Sequence, residues 1–150
     1  MTRVADPTEL TESTSLGASE WHVVTQDMVD RFADLTGDHQ WLHTDIERAT
    51  DGPFGAPIAH GFLVLAMTTL LLSEIIQVDG ASLVLNQGVG RTRILAPVRI
   101  GDRIRARAHV VSARQRPRGY WEGVFGIAVE SSAGEDVVLT TELTLLHQFS

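Results

Sequence analysis

One short stretch of this chain holds the residues best suited to acid–base chemistry. Asp38 directly follows Gly37, and His43 comes five residues after Asp38. A carboxylate and an imidazole that share one water molecule can take a proton from it and deliver a proton to a substrate. The spacing leaves open which of the two is the acid and which the base, because coupled groups titrate as a pair. We interpret Asp38 and His43 as a catalytic pair.

A second stretch, residues 55–61, leads into the longest apolar run of the sequence. We predict a buried helix over residues 59–76, and the first N–H groups of a helix have no acceptor within it. The N–H of Gly61 can therefore stabilise negative charge on a substrate oxygen, and a residue without Cβ lets that oxygen approach closely. Gly61 is our candidate oxyanion donor.

The loop around Asp38 begins where a helix is predicted to end. Apolar residues recur at helical spacing before it, at Met28, Val29, Phe32 and Leu35. Thr25 can cap the start of this helix, and Gly37 suits the positive φ with which helices often end. Asp45 can cap a short turn over residues 46–49, and the glycines and prolines between residues 52 and 57 predict irregular backbone.

The second half of the chain supplies strands. Four strand-like runs lie near residues 83–97, 102–113, 120–131 and 136–148, with turns at residues 101–102, 116–119 and 133–135. A further short strand is predicted over residues 20–24. Helices early and strands late indicate one α+β domain over residues 19–150, with an antiparallel sheet wrapped around a long apolar helix that is covered on most sides. We expect residues 1–18 to form a flexible tail.

The composition excludes several classes of protein. The 150 residues include no cysteine, which rules out a disulfide framework, a thiolate nucleophile and a cysteine-based metal site. The net charge of −7 argues against a nucleic-acid surface. The apolar run is interrupted by polar residues, so we predict no membrane span, and residues 1–18 lack the pattern of a signal peptide. We expect a cytoplasmic protein.

These residues form a longer pattern that resembles the MaoC-like dehydratases, or (R)-specific enoyl-CoA hydratases, of the hot-dog fold. The family pattern Phe-Ala-x-x-Thr/Ser-Gly-Asp-x-x-x-x-His-x-Asp is matched by residues 32–45. Gly-Pro-Phe-Gly at 52–55 and Ile-Ala-His-Gly at 58–61 match the loop and helix start that follow, and the likeness continues through residues 93–102. The resemblance is closest to the nodulation-protein-N-like subgroup and runs from about residue 17 to the end of the chain.

The resemblance implies a hot-dog homodimer that adds water to trans-2-enoyl thioesters or removes it from 3-hydroxyacyl thioesters. It implies that Asp38 and His43 are the catalytic pair and that the N–H of Gly61 binds the thioester oxygen. Thr69 falls where some members place a serine near the pair, and Gln40-Trp41 stands where many hydratases have Asn-Pro. Because one pair handles the water from one face of the alkene, we expect syn addition.

Several other residues have a structural interpretation beside a functional one. His60 either binds substrate or is a hydrogen-bonded histidine at the helix start, and we favour the second interpretation. His39 and His43 have the spacing of helical zinc ligands, but the segment is predicted to be a loop, so we expect no metal. Three apolar residues are candidate walls of a dry slot for an acyl chain: Phe54, Phe62 and Leu65.

The only concentration of basic residues lies along the second predicted strand and in the turn after it. These side chains either form a solvated sheet face, which we favour, or hold coenzyme A phosphates. The set comprises Arg103, Arg105, Arg107, Arg114, Arg116 and Arg118.

We predict a hydro-lyase without a metal or redox cofactor, whose thioester substrate carries coenzyme A or an acyl carrier protein. One alternative is a hot-dog acyl-CoA thioesterase, in which water attacks the carbonyl carbon and frees the thiol. Another is a protein that binds acyl thioesters without turnover.

Overall fold

A long apolar helix lies against one face of an antiparallel sheet. The computed structural model describes residues 1–134 and 136–149. The helix, α4, spans Gly61–Ile75, and three shorter helices precede it: α1 (Gln26–Thr36), α2 (Trp41–Thr44) and α3 (Ile46–Thr50). A three-residue 3-10 helix covers Pro7–Glu9. Within the described residues, no helix combines the length and the apolar character needed to cross a membrane.

The main sheet has six strands, and four long ones form its body. The strands are β1 (Thr2–Val4), β2 (Ser15–Ala18), β3 (His22–Val23), β4 (Ile76–Val78), β5 (Ala81–Ile94), β6 (Arg103–Arg116), β7 (Tyr120–Ser131) and β8 (Val137–Phe149). Their order is β2-β6-β7-β8-β5, with β3 also paired to β6. All these pairings are antiparallel, and β1 and β4 form a separate parallel pair. The predicted α+β class, the central helix and the four long strands are confirmed. The predicted turn at residues 133–135 includes Glu135, which lies outside the described residues.

Local signals set the ends of the helices around the site. The Thr25 side chain accepts a hydrogen bond from the Met28 N–H at 3.3 Å, and Gly37 has a φ of 75° at the end of α1. The Asp45 carboxylate accepts from the Arg48 N–H at 3.0 Å and caps α3. The caps confirm these predictions and fix Asp38 in the loop that follows α1.

The core lies between α4 and the inner face of the sheet. Along β6, the residues at alternate positions are fully or almost fully buried, as predicted: Ile104, Ala106, Ala108 and Val110. Leu71 and Ile75 from α4 meet this face and are 0% and 1% exposed. Burial of these apolar side chains holds the helix against the sheet and thereby positions its N-terminus.

The first 18 residues are part of the fold, which corrects the prediction of a flexible tail and the domain boundary at residue 19. Strand β1 pairs with β4, and β2 pairs with β6. Three apolar side chains in this segment, Val4, Leu10 and Leu16, are buried in the core. They are spaced too widely to show helical or strand periodicity, and the polar residues between them conceal their role.

One side of α4 is not covered by the rest of the described chain, although most of its residues are buried or half-buried, as predicted. Phe62 is 72% exposed and Leu70 is 46% exposed, and Ala66, Thr69 and Ser73 on the same side are also exposed. The sheet forms a single layer that covers the opposite side of the helix. Strand β5, at the edge of the sheet, is likewise exposed along most of its length. An apolar helix face and an apolar edge strand therefore lie open together.

Candidate active site

His43 is held by a short helix against the segment that precedes α4. Its Nδ1 donates a hydrogen bond to the carbonyl oxygen of Ile58 at 2.7 Å, and the side chain is buried. The Gln26 side chain donates to the His43 carbonyl at 2.8 Å and ties α2 to α1. Because a carbonyl oxygen only accepts hydrogen bonds, Nδ1 carries the proton, and in the neutral ring Nε2 keeps its lone pair. Nε2 can therefore accept a proton.

The environment of His43 favours the neutral imidazole. Burial lowers the pKa of His43 from its ordinary value of 6.5, and the nearby imidazole of His60 lowers it further. The hydrogen bond to Ile58 and the carboxylate of Asp38 act in the opposite direction, but the net shift is downward. At neutral pH the ring is thus a base with a fixed tautomer.

His60 connects the Asp38 loop to the start of α4. Its Nε2 donates to the backbone carbonyl of Asp38 at 2.9 Å and lies 4.0 Å from the Asp38 carboxylate. The His60 ring is buried and stacks on His43 with centroids 3.8 Å apart, while Phe32 packs against it at 5.1 Å. These contacts support the structural role that we favoured for His60. They bring Asp38 to His43 although Asp38 itself keeps an exposed side chain.

Asp38, His43 and His60 are close enough to act on one small ligand. One donor atom from each residue lies within 4.8 Å of the other two. A water molecule between the Asp38 carboxylate and an imidazole nitrogen can hydrogen-bond to both across such a distance. The same three groups could also hold a metal ion, although one nitrogen of each imidazole is occupied by a carbonyl. A site without metal remains our prediction.

The N-terminus of α4 and His43 open into the same cavity. The cavity has a volume of about 320 Å³ and is lined by His43, Gly61 and apolar side chains that include Val64 and Ile94. The N–H groups of Leu63 and Val64 both donate to the His60 carbonyl, whereas the Gly61 N–H precedes the first intrahelical bond. The cavity thus combines a proton acceptor, a backbone donor that has no partner among the described residues, and apolar walls.

A side chain at position 61 would require the Ile94 side chain to move. A Cβ built on Gly61 would collide with Cδ1 of Ile94. Ile94 was not among our predicted site residues, because it reaches the cavity through the pairing of β5 with β8, where it lies opposite Leu139. No local sequence signal reports such a long-range pairing.

The remaining predicted site residues lie elsewhere. Phe62, Leu65 and Thr69 line a second cavity of about 520 Å³ between α4 and β5, and Phe32 forms part of its wall. The Thr69 hydroxyl donates to the Ala66 carbonyl at 2.9 Å, and Thr69 does not line the cavity that contains His43. Phe54 is half-buried in the turn before α4 and lines neither cavity.

The basic residues on the sheet are mostly engaged in ion pairs and aromatic contacts. Glu130 pairs with Arg105 and Arg107 at 2.8 Å, and Glu122 pairs with Arg114 and Arg116 at 2.6 and 2.7 Å. Two of the arginines, Arg103 and Arg105, also lie over the ring of Trp21. These contacts support the interpretation as a solvated, ion-paired sheet face.

Comparison with known proteins connects these residues to one family. A sequence model of the MaoC like domain matches residues 8–122, a stretch that includes α1, the Asp38 loop and α4. The chain belongs to the MaoC-like dehydratase family. This MaoC-like chain is 43% identical over 115 residues to 3-hydroxyacyl-thioester dehydratase Z of Mycobacterium tuberculosis, covering 77% of the chain and 76% of that relative. It is 34% identical over 137 residues to nodulation protein N of Rhizobium meliloti, covering 90% of the chain and 85% of that protein.

Solved structures show the same fold. The unliganded (R)-hydratase PhaJ1 of Pseudomonas aeruginosa has a TM-score of 0.75 at 20% identity, over 96% of this MaoC-like chain and 86% of the hydratase. The (R)-hydratase of A. caviae involved in PHA biosynthesis has a TM-score of 0.72 at 22% identity, over 94% and 98% of the two chains. Together with the sheet and α4, these matches confirm the predicted hot-dog fold.

We expect the pKa of His43, measured by an NMR titration of the imidazole resonances, to lie below 6.5, because burial disfavours the charged ring. The folded protein then binds this proton less tightly than the unfolded chain. The contribution of His43 to stability is therefore complete above pH 6.5 and is lost as the pH falls through the folded-state pKa. A His43→Gln variant identifies the resonance, and a titration midpoint above 6.5 would contradict the buried, neutral ring.

Proposed function

We propose that the protein is an (R)-specific enoyl-thioester hydratase, or in reverse a 3-hydroxyacyl-thioester dehydratase. The observation that carries this proposal is the shared cavity, into which His43 and the backbone of Gly61 both open. Membership of the MaoC-like family supports it, as does the similarity to a relative named 3-hydroxyacyl-thioester dehydratase Z.

The proposed reaction adds water across the double bond next to the thioester. The hydroxyl group of water bonds to Cβ, and a proton bonds to Cα. Asp38 and His43 lie close enough to hold one water molecule between them, so the pair takes a proton from that water and returns one to Cα. Both events occur on one face of the alkene, which gives syn addition.

The proposed role of Gly61 is to stabilise the charge that forms during this addition. When hydroxide adds to Cβ, electron density moves to the thioester oxygen and forms an enolate. The Gly61 N–H at the positive end of α4 donates a hydrogen bond to that oxygen. Loss of one such donor raises the barrier by about 3 kcal/mol.

The proposed substrate is an acyl thioester of coenzyme A or an acyl carrier protein. The apolar walls around Gly61 and the apolar cavity between α4 and β5 are suited to an acyl chain. The chemistry requires no metal and no redox cofactor, because the water and the oxyanion are both handled by groups of the chain. A cysteine-free chain is compatible with the cytoplasm, which we keep as the proposed location.

We also propose that two copies of the chain pair through β5. This edge strand exposes apolar side chains that include Leu85 and Val89, at 43% and 58% exposure. An unpaired apolar edge tends to add a further strand, and the open side of α4 lies next to it. A second copy would cover both surfaces and enclose the cavities between α4 and β5.

Replacing Asp38 with Asn or His43 with Ala is expected to lower hydration of a trans-2-enoyl-CoA by at least about 100-fold, because each change removes a proton-transfer group. The assay follows the loss of enoyl absorbance with a chelator present, and a thiol reagent in parallel reports free coenzyme A. Circular dichroism checks that the variants are folded. Thiol release at the rate of substrate loss would instead indicate a thioesterase, and full turnover by a folded double variant would exclude the pair.

Gly61→Ala is expected to lower kcat/KM by about 100-fold, similar to the loss of an oxyanion donor, because the new methyl group blocks the approach of the oxygen. The collision with Ile94 is removed separately by Ile94→Val, which deletes only Cδ1. The comparison that matters is therefore Gly61→Ala in the Ile94→Val background against Ile94→Val alone. Equal kcat/KM values in that comparison would mean that Gly61 serves only to make room for Ile94.

Sedimentation equilibrium is expected to give twice the chain mass for the wild-type protein and a lower mass for Leu85→Lys, because lysine on an edge strand opposes strand pairing. Leu35→Lys is the matched control, since Leu35 is 83% exposed and lies on α1 rather than on β5. A monomeric wild-type protein, or a dimer that withstands Leu85→Lys, would contradict pairing through this edge.

A further inference from the structure

A buried histidine near the C-terminal end of β8 has no role in the proposed reaction. His147 is 4% exposed and lies opposite Val84 of β5 and Trp121 of β7. It follows Leu143 and Leu145 at alternate positions of the strand, and all three line one cavity with residues of α4. His147 therefore belongs to the inner face of the sheet.

One nitrogen of the His147 imidazole lacks a hydrogen-bond partner among the described residues. Its Nδ1 is buried and, within residues 1–134 and 136–149, has no partner. The Trp121 ring packs against it at a centroid distance of 5.1 Å and offers no acceptor. Burial also lowers the pKa of His147, so the ring is neutral and presents one N–H and one lone pair. Buried polar groups of this kind are normally hydrogen-bonded.

The cavity beside His147 is large and otherwise mainly apolar. Its volume is about 480 Å³, and its wall includes Leu72 and Ile76. It shares Thr69, Asn86 and Leu143 with the cavity lined by Phe62, so the two adjoin between α4 and β5. Counted along the axis of α4 at about 1.5 Å per residue, Thr69 and Ser73 lie roughly 12 and 18 Å from Gly61. The cavity is therefore remote from the proposed reacting carbons.

We propose that this cavity receives the far end of the acyl chain and that His147 selects substrates with a hydroxyl group there. The proposal rests on the proposed hydratase function. A hydroxyl group both donates and accepts, so it satisfies a neutral imidazole in either tautomer. A terminal methyl group offers the imidazole no hydrogen bond, and a carboxylate would enter a mainly apolar cavity whose described lining residues include no cation. His147 is thus a specificity residue that acts on the part of the substrate farthest from the chemistry.

The test compares pairs of trans-2-enoyl-CoA substrates of equal length that end in either a methyl or a hydroxymethyl group, over a series of chain lengths. Wild-type protein is expected to prefer the hydroxyl-ended member by roughly tenfold in kcat/KM once the chain reaches His147, a ratio typical of one buried hydrogen bond. His147→Leu is expected to abolish or reverse this preference, and His147→Gln, which keeps a hydrogen-bonding side chain, to retain part of it. His109→Leu removes an imidazole from the exposed outer face of the same sheet and is expected to leave the preference intact.

The four-carbon substrate separates this proposal from the proposed function. It is too short to reach His147, so its hydration tests only the chemistry at Asp38, His43 and Gly61. If it is hydrated and the wild-type protein shows no preference within any longer pair, the His147 proposal is overturned and the hydratase function stands. If no substrate of any length is hydrated, the hydratase function itself fails. A preference that persists unchanged in folded His147→Leu would also overturn the role of His147.

Discussion

The hydrogen bond from His43 to the carbonyl of Ile58 is the interaction on which the site depends. It fixes the proton on Nδ1 and leaves Nε2 as the acceptor. The N–H of the same residue, Ile58, donates to the Leu42 carbonyl at 3.0 Å, so α2 and the segment before α4 are tied by two bonds. The next residue, Ala59, donates to Val98 beyond the end of β5. Residues 58 and 59 therefore link His43, the start of α4 and the sheet, and fix their positions relative to one another.

A second hydrogen bond links the residue before α4 to the loop that follows α1. His60, the residue before α4, bonds to the backbone of Asp38, which follows α1. The two imidazoles stack on each other, and both side chains are buried. The Asp38 side chain is about half exposed, whereas His43 is buried and burial lowers its pKa. Such asymmetry is typical of acid–base pairs in enzymes.

The parts of the fold that are set by residues close together in the sequence could be predicted from it. The limits of α1 follow from Thr25 and Gly37, and the burial of β6 follows from its alternation, because both signals are local. The packing of Val4 and Leu16 and the contact between Ile94 and Gly61 depend on strand pairings across many residues, which leave no local pattern. Resemblance placed Thr69 near the catalytic pair, but its position along α4 faces the neighbouring cavity. That Nδ1 of His147 has no partner among the described residues follows only from the folded structure, because it depends on what packs around the ring.

The central claim is that one pair of groups handles water from one face of the alkene, with the thioester oxygen held by the start of α4. The most direct test is NMR analysis of the product formed from a trans-2-enoyl-CoA in D₂O. We expect an (R)-3-hydroxyacyl thioester whose deuterium at Cα lies on the same face as the new hydroxyl group. An (S) product, or deuterium added to the opposite face, would contradict it.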